Sequence, residues 1–61
     1  MMKERVLEVM GNTPHTIQWI AKRTNSPALA VAKYLTILVD EGKVQVLHFS
    51  AQRRVYKRVA R

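Results

Sequence analysis

The sequence predicts a mainly α fold with a C-terminal β-hairpin, three short helices followed by two strands. Three observations lead there. Apolar residues recur at the helical period in three stretches up to Leu38. Gly11-Asn12, Pro14, Ser26-Pro27 and Gly42 punctuate those stretches, each a residue type that ends or starts a helix. Beyond Gly42 the pattern changes to a β-rich run, KVQVLHF, answered after a short polar turn by RRVYKRVA.

Each element has a local reason. Helix one is expected from about Met2 to Met10, with Met2, Val6 and Met10 on one face and Leu7 and Val9 widening the stripe. Gly11 then supplies the left-handed conformation that helix C-termini favour. Thr16 is placed to cap a second helix from Ile17 to about Arg23, whose inward face is Ile17, Ile20, Ala21 and Thr24. Ser26-Pro27 repeats the device, a polar cap followed by Pro at the first helical position, and opens a third helix running to about Glu41. Winding that helix turns Ala28, Val31, Tyr34, Leu35 and Leu38 inward, with Ala32 and Val39 at the border. Leu29, Ala30, Lys33, Thr36, Ile37 and Asp40 go outward. Gly42 closes the helix, and the first strand follows from Lys43 to Phe49. Ser50-Ala51-Gln52 turns the chain without an Asn-Gly signal, so the turn does not fix the hairpin register. Facing is equally open in the second strand, where Val55, Lys57 and Val59 alternate against Tyr56 and Arg58. Tyr34 and Tyr56 are expected in the core or sheet, with a phosphate contact from the wing as the other option for Tyr56.

Length and charge limit what such a chain does. At 61 residues the expectation is one domain over residues 1–61. A domain of this size buries only about 60% of the surface its unfolded chain exposes, which leaves little room for an enclosed active site. Eleven Lys and Arg stand against four Asp and Glu, a formal charge of +7 that attracts polyanions, nucleic acid first among them. With no Cys, neither disulfides nor a thiolate metal site supplements the core. The N-terminus, MMKERVLEVM, mixes charges among its apolar residues, and no apolar run is long enough to span a bilayer. A soluble, cytoplasmic protein without membrane association is expected.

The stretch from Ile20 to Val44, IAKRTNSPALAVAKYLTILVDEGKV, reads as two helices joined by a tight polar turn, the order of a helix-turn-helix. With the helix before it and the basic hairpin after it, nearly the whole chain resembles the winged helix-turn-helix family. The most specific part is the frame of Ile20-Ala21, Val31, Leu35, Leu38, Gly42 and Val44, at the spacing used by many small bacterial and archaeal transcription regulators. In overall architecture it resembles the very short fimbrial-operon regulators of the FaeA-like type. The sequence departs from the family at Thr24 and Asn25, where a large aliphatic residue and a Gly are usual, although Asn tolerates the left-handed conformation the turn needs. The resemblance implies a transcriptional regulator that binds double-stranded DNA. Its recognition helix, about Pro27 to Glu41, would lie in the major groove, and its wing, Lys43 to Arg61, along the phosphate backbone.

The candidate DNA-binding residues follow from that division. Helix three offers Lys33 and Thr36 to base edges, with Leu29 and Ala30 able to meet thymine methyl groups and Ile37 on the same outward side. An outward face this apolar equally suits a protein interface. Arg53, Arg54, Lys57, Arg58 and Arg61 crowd the last nine positions, with Lys43 at the base of the hairpin and no acidic residue from Lys43 onward. Such a ribbon suits phosphate contact, the other reading being a solvated hairpin whose cations protect strand edges. Lys22 and Arg23 on helix two add backbone contacts or serve solubility. Trp19 points away from the inward face of its helix. Either it anchors a protein partner or self-association, or its ring lies over Arg23 one turn later or covers a gap left by the short chain.

The alternative function is a protein-binding module that uses Trp19, Leu29 and Ile37 to modulate another protein, and RNA binding ranks third. No dedicated dimer element is evident, so a monomer or weak homodimer is expected. Catalysis is not expected, because no nucleophile motif or Gly-rich phosphate loop appears. His15, read as a loop residue, and His48, in a strand, have no neighbours at metal-ligand spacing, so neither a metal nor a cofactor is expected. Glu4, Glu8, Asp40 and Glu41 read as partners of helical neighbours or as residues at helix ends.

Overall fold

The computed structural model describes residues 2–50 and 53–59. Ala51 and Gln52 of the expected turn, Ala60 at the end of the expected second strand, and Arg61 of the expected wing lie outside them. In chain order the elements are α1 (Met2–Met10), β1 (His15–Thr16), α2 (Ile17–Thr24), α3 (Ala28–Asp40), β2 (Val44–Phe49) and β3 (Arg54–Arg58). Three helices followed by a basic hairpin is the layout of a winged helix, as the sequence predicts.

The hairpin gains a third strand that the sequence reading missed. His15, expected in a loop, and Thr16 pair antiparallel with β3, opposite Tyr56 and Val55. The sheet order is therefore β1-β3-β2, with β3 in the centre and β2 on an edge. Two residues carry no readable period, so only the partner strand reveals β1.

Helix ends follow their local chemistry closely. Thr16 caps α2, its hydroxyl accepting from the Trp19 amide at 3.2 Å. Asn25 adopts the left-handed conformation, φ 53° and ψ 47°. Its amide donates to Lys22 O at 3.3 Å and the Ser26 amide to Ala21 O at 3.0 Å, the double bond of a Schellman motif. Gly42 repeats the motif after α3 with φ 78°, its amide reaching Val39 O and the Lys43 amide reaching Leu38 O. Thr24 is 7% exposed, and its hydroxyl donates to Ile20 O at 2.9 Å. Back-bonding to its own helix lets a polar residue occupy an apolar position.

One cap differs from expectation. Ser26 does not cap α3; its hydroxyl donates to Thr24 O at 3.1 Å. Pro27 itself stands at the cap position, φ −62° and ψ 142°, one residue before the helix rather than inside it, and its carbonyl accepts from Val31 at 3.1 Å. Proline has no side-chain acceptor, so no side chain caps the first turn of α3.

The core is one cluster. Val6 and Met10 of α1, Ile20 of α2, Val31, Leu35 and Leu38 of α3, Val44 of β2 and Tyr56 of β3 are buried together. Leu7, Val9, Ile17, Trp19, Ala21, Tyr34 and Val39 pack around them. Ala28, expected inward, is exposed at the first position of α3; Ala30, expected outward, is half-buried. Tyr56 faces the core, which settles strand facing and removes it as a phosphate contact. Between Val46 and His48 the β2 register shifts at Leu47, a bulge that the alternation of β3 gave no means to foresee.

Two polar ties lock the periphery. Arg58 donates through Nη1 to the Leu7 carbonyl at 3.1 Å, meeting a backbone acceptor in the last turn of α1. Lys3 donates to Glu41 at 3.0 Å and joins the start of α1 to the end of α3, with the Lys43 ammonium 3.6 Å from the same carboxylate. The Lys3 hydrogen bond holds the Glu41 carboxyl below its ordinary value, aided by the Lys43 charge.

Leu35→Ala removes the centre of this core and is expected to cost about 2–5 kcal/mol, read as a loss in urea unfolding free energy. The Glu41 pairing has a distinct pH signature. A depressed folded-state pKa means the unfolded chain takes up the proton first, so the pair's contribution is present above the ordinary Glu value of about 4.3. It is lost as pH falls from there through the lowered value. Melting temperatures measured across that window should fall less steeply for Lys3→Met than for the parent protein; parallel curves would show that the pair contributes nothing.

Candidate nucleic-acid interface

Helix α3 buries one side and offers the other. Leu29 is 87% exposed, Lys33 and Thr36 are exposed, and Ile37 is 37% exposed. Asp40 ends that side, also exposed. The Thr36 hydroxyl donates to Ala32 O at 3.0 Å, so its proton is spent within the helix and it keeps only acceptor capacity. Lys33 is consequently the one charged donor that α3 offers.

The uncapped first turn of α3 adds a second kind of donor. Ala28 and Leu29 are exposed there, and no side chain caps the turn, whose first amides have no partner within the helix. The helix dipole favours negative charge at that end.

Charge on the wing is real but not uniform. Arg53 and Arg54 are exposed, and Lys57, opposite Gln45, is half-buried. Arg58 is committed to α1 through Leu7 O, which withdraws it from the expected phosphate contacts. Ser50 and Arg53 close the hairpin loop: the Ser50 amide donates to Arg53 O at 2.9 Å, and the Arg53 amide returns to the Ser50 hydroxyl at 3.0 Å. That loop closure gives the Arg53 side chain a fixed base. Arg61 lies outside the described residues.

Trp19 has its partners within the chain. Its ring stacks on His15, centroids 3.5 Å apart and planes within 7°, and the Arg23 guanidinium lies 4.8 Å from the ring centroid. Of the two sequence expectations for Trp19, the ring lying over Arg23 describes the structure. What sequence reasoning missed is the role of His15, which β1 brings beside α2 and whose Nε2 lies 2.7 Å from the Thr13 hydroxyl. Helical spacing links Trp19 to Arg23; His15 is also four residues from Trp19, but it precedes the helix, so the helical period does not extend to it.

Beside this stack is a shallow depression of about 310 Å³ lined by Pro14, His15, Thr16, Trp19, Arg53 and Val55. Arg53 of the wing and the Trp19–Arg23 stack of α2 thus border one surface. Lys22, exposed on α2, belongs to neither the stack nor the core. Among the described residues, no three His, Asp or Glu side chains are placed to hold a metal ion, and no helix is long and apolar enough to cross a membrane. No protein-family model matches the chain, and no curated protein matches it either.

Because Trp19 is held by both an aromatic stack and a cation, Trp19→Ala should lower stability by about 2 kcal/mol. Denaturant unfolding checks this, with Lys22→Ala, expected to leave the midpoint unchanged, as the surface control.

Proposed function

We propose that this protein binds double-stranded DNA as a small winged-helix transcriptional regulator. The observation that carries this reading is the conjunction of a helix with one exposed side and a hairpin rich in Lys and Arg. Chain segments after Glu41 hold no acidic residue, and Glu41 itself is engaged by Lys3 and Lys43. On this reading α3 enters the major groove, its first-turn amides meet a phosphate, and Lys33 reaches a base edge or a second phosphate. Arg53, Arg54 and Lys57 follow the backbone beside the groove, joined by Lys22 and Arg23 from α2.

Affinity on this surface comes mainly from phosphate neutralisation. Lys33 is a single-point donor and Leu29, Ala30 and Ile37 offer only methyl contacts, so discrimination between base pairs is modest. A protein so composed reads groove shape and charge more than sequence.

A protein-binding role for the same side of α3 draws support from Leu29, the most exposed of the large apolar side chains described. Trp19 lends that alternative less support, since its ring is engaged by His15 and Arg23.

The test is a binding titration against short duplex DNA at several salt concentrations. With roughly four to six phosphates neutralised, log K should fall against log salt with a slope of about −4 to −5. Lys33→Ala and Arg53→Ala should each reduce that slope by about 1. NMR shifts on adding duplex should extend through Leu29 to Ile37; shifts confined to the wing indicate non-specific binding, and a flat salt response excludes DNA as the partner.

A further inference from the structure

Where the end of α1, the turn after α3 and the end of β3 meet, they border a cavity of about 380 Å³ lined by Leu7, Glu41, Gly42, Lys43, Arg58 and Val59. That volume is at the small end of the range for small-molecule sites. Its walls divide by chemistry. Leu7 and Val59, both half-buried, form an apolar side, while Arg58 and Lys43 bring positive charge and Glu41 negative. Lys3, outside the lining, already holds Glu41 Oε2 at 3.0 Å, so three cations stand against one carboxylate. Backbone groups at this end are spent within the chain: the Gly42 and Lys43 amides donate to Val39 O and Leu38 O, the Val59 amide to Lys43 O, and the Leu7 carbonyl accepts from Arg58 Nη1. What remains for a ligand is the rest of the Arg58 guanidinium and the Lys43 ammonium, which pairs loosely with Glu41 Oε1 at 3.6 Å.

We infer that this cavity binds a small organic carboxylate, its oxygens held by Arg58 and Lys43 and its apolar body against Leu7 and Val59. Arg58 is prepared for that role. The Leu7 carbonyl fixes one N–H of its guanidinium, and the planar fork that remains matches a carboxylate with parallel hydrogen bonds. Half-burial shields the guanidinium from water, which strengthens its attraction for an anion over that of an open surface cation. Lys43 is a compact, rotatable donor, and it reaches a ligand by turning from a carboxylate that Lys3 also neutralises. Other ligand classes use less of the cavity. A cation meets two like charges, a neutral apolar molecule leaves both cations unanswered, and inorganic phosphate has no group for the apolar side.

The site is separate from the proposed DNA surface. Glu41 follows the last residue of α3, whereas Leu29 and the uncapped turn stand at its start, 13 residues or about 20 Å away. Arg58 is also the cation that its bond to Leu7 O withdraws from phosphate contact. A carboxylate bound here leaves α3 free, and the inference does not rest on DNA binding; its failure would leave the DNA-binding reading standing. Because the lining joins α1, the turn after α3 and β3, an occupant ties the sheet to the helices and stabilises the fold by mass action.

An NMR titration of the full chain with sodium benzoate, without nucleic acid and in about 0.15 M chloride, tests the site. Benzyl alcohol serves as the uncharged counterpart of this probe and inorganic phosphate as the anion without an apolar body. Expected are saturable shifts centred on Leu7, Gly42, Lys43 and Val59, with a Kd for benzoate of about 1 mM or below. Both counterparts should bind at least about tenfold more weakly, and Lys43→Gln should weaken benzoate binding by a similar factor. Arg58→Gln is expected to act likewise; because Arg58 also serves the fold, Lys43→Gln on an exposed side chain decides the matter if that variant unfolds. Absence of saturable shifts, shifts centred on other residues, or benzoate binding unchanged in Lys43→Gln overturns the inference. Phosphate binding as tightly as benzoate overturns it too, reducing the site to a general anion patch, and equally tight benzyl alcohol reduces it to an apolar crevice.

Discussion

Tyr56 holds the two halves of this protein together. It lies on the central strand, opposite His15 on one side and Val46 on the other, and its side chain is buried in the same cluster as Ile20, Leu35 and Leu38. A hairpin alone is marginal in water. Seated by Tyr56 and Val44 on a helical core, and extended by β1, this one becomes a fixed extension of the helices. Arg58 reinforces the seat by reaching the Leu7 carbonyl, which is why a residue of the basic cluster belongs to the fold rather than to its surface.

That seating also decides how the outer surfaces are divided. Among the described residues eight apolar side chains are buried in the core, and α3 supplies three of them from a single face. The remaining face is left to solvent with Leu29 standing out from it. On α2 the corresponding surplus residue, Trp19, is instead drawn onto the chain by His15 and Arg23. Two large apolar residues with similar sequence signals thus meet different fates: β1 brings His15 onto Trp19, whereas Leu29 stays 87% exposed. Cations are similarly sorted: Lys3 and Arg58 serve the fold, Arg23 serves Trp19, and Lys33 and Arg53 stay exposed.

Sequence alone determined what depends on neighbours within about one helical turn. The helix boundaries, the Thr16 cap, the left-handed Asn25 and Gly42, and the buried stripe of Val31, Leu35 and Leu38 all follow from residue type and period, since capping and amphipathicity are local physics. Tertiary structure decided what depends on contacts far along the chain. The pairing of His15 with Tyr56, the inward turn of Tyr56, the bulge at Leu47 and the capture of Arg58 by α1 join residues that share no period. Ser26 shows the boundary between the two: its type fits a cap, but Pro27 took that position and the hydroxyl turned back to Thr24. The basic composition was plain from the first reading, whereas which cations are exposed was set by the packing of the sheet against the helices.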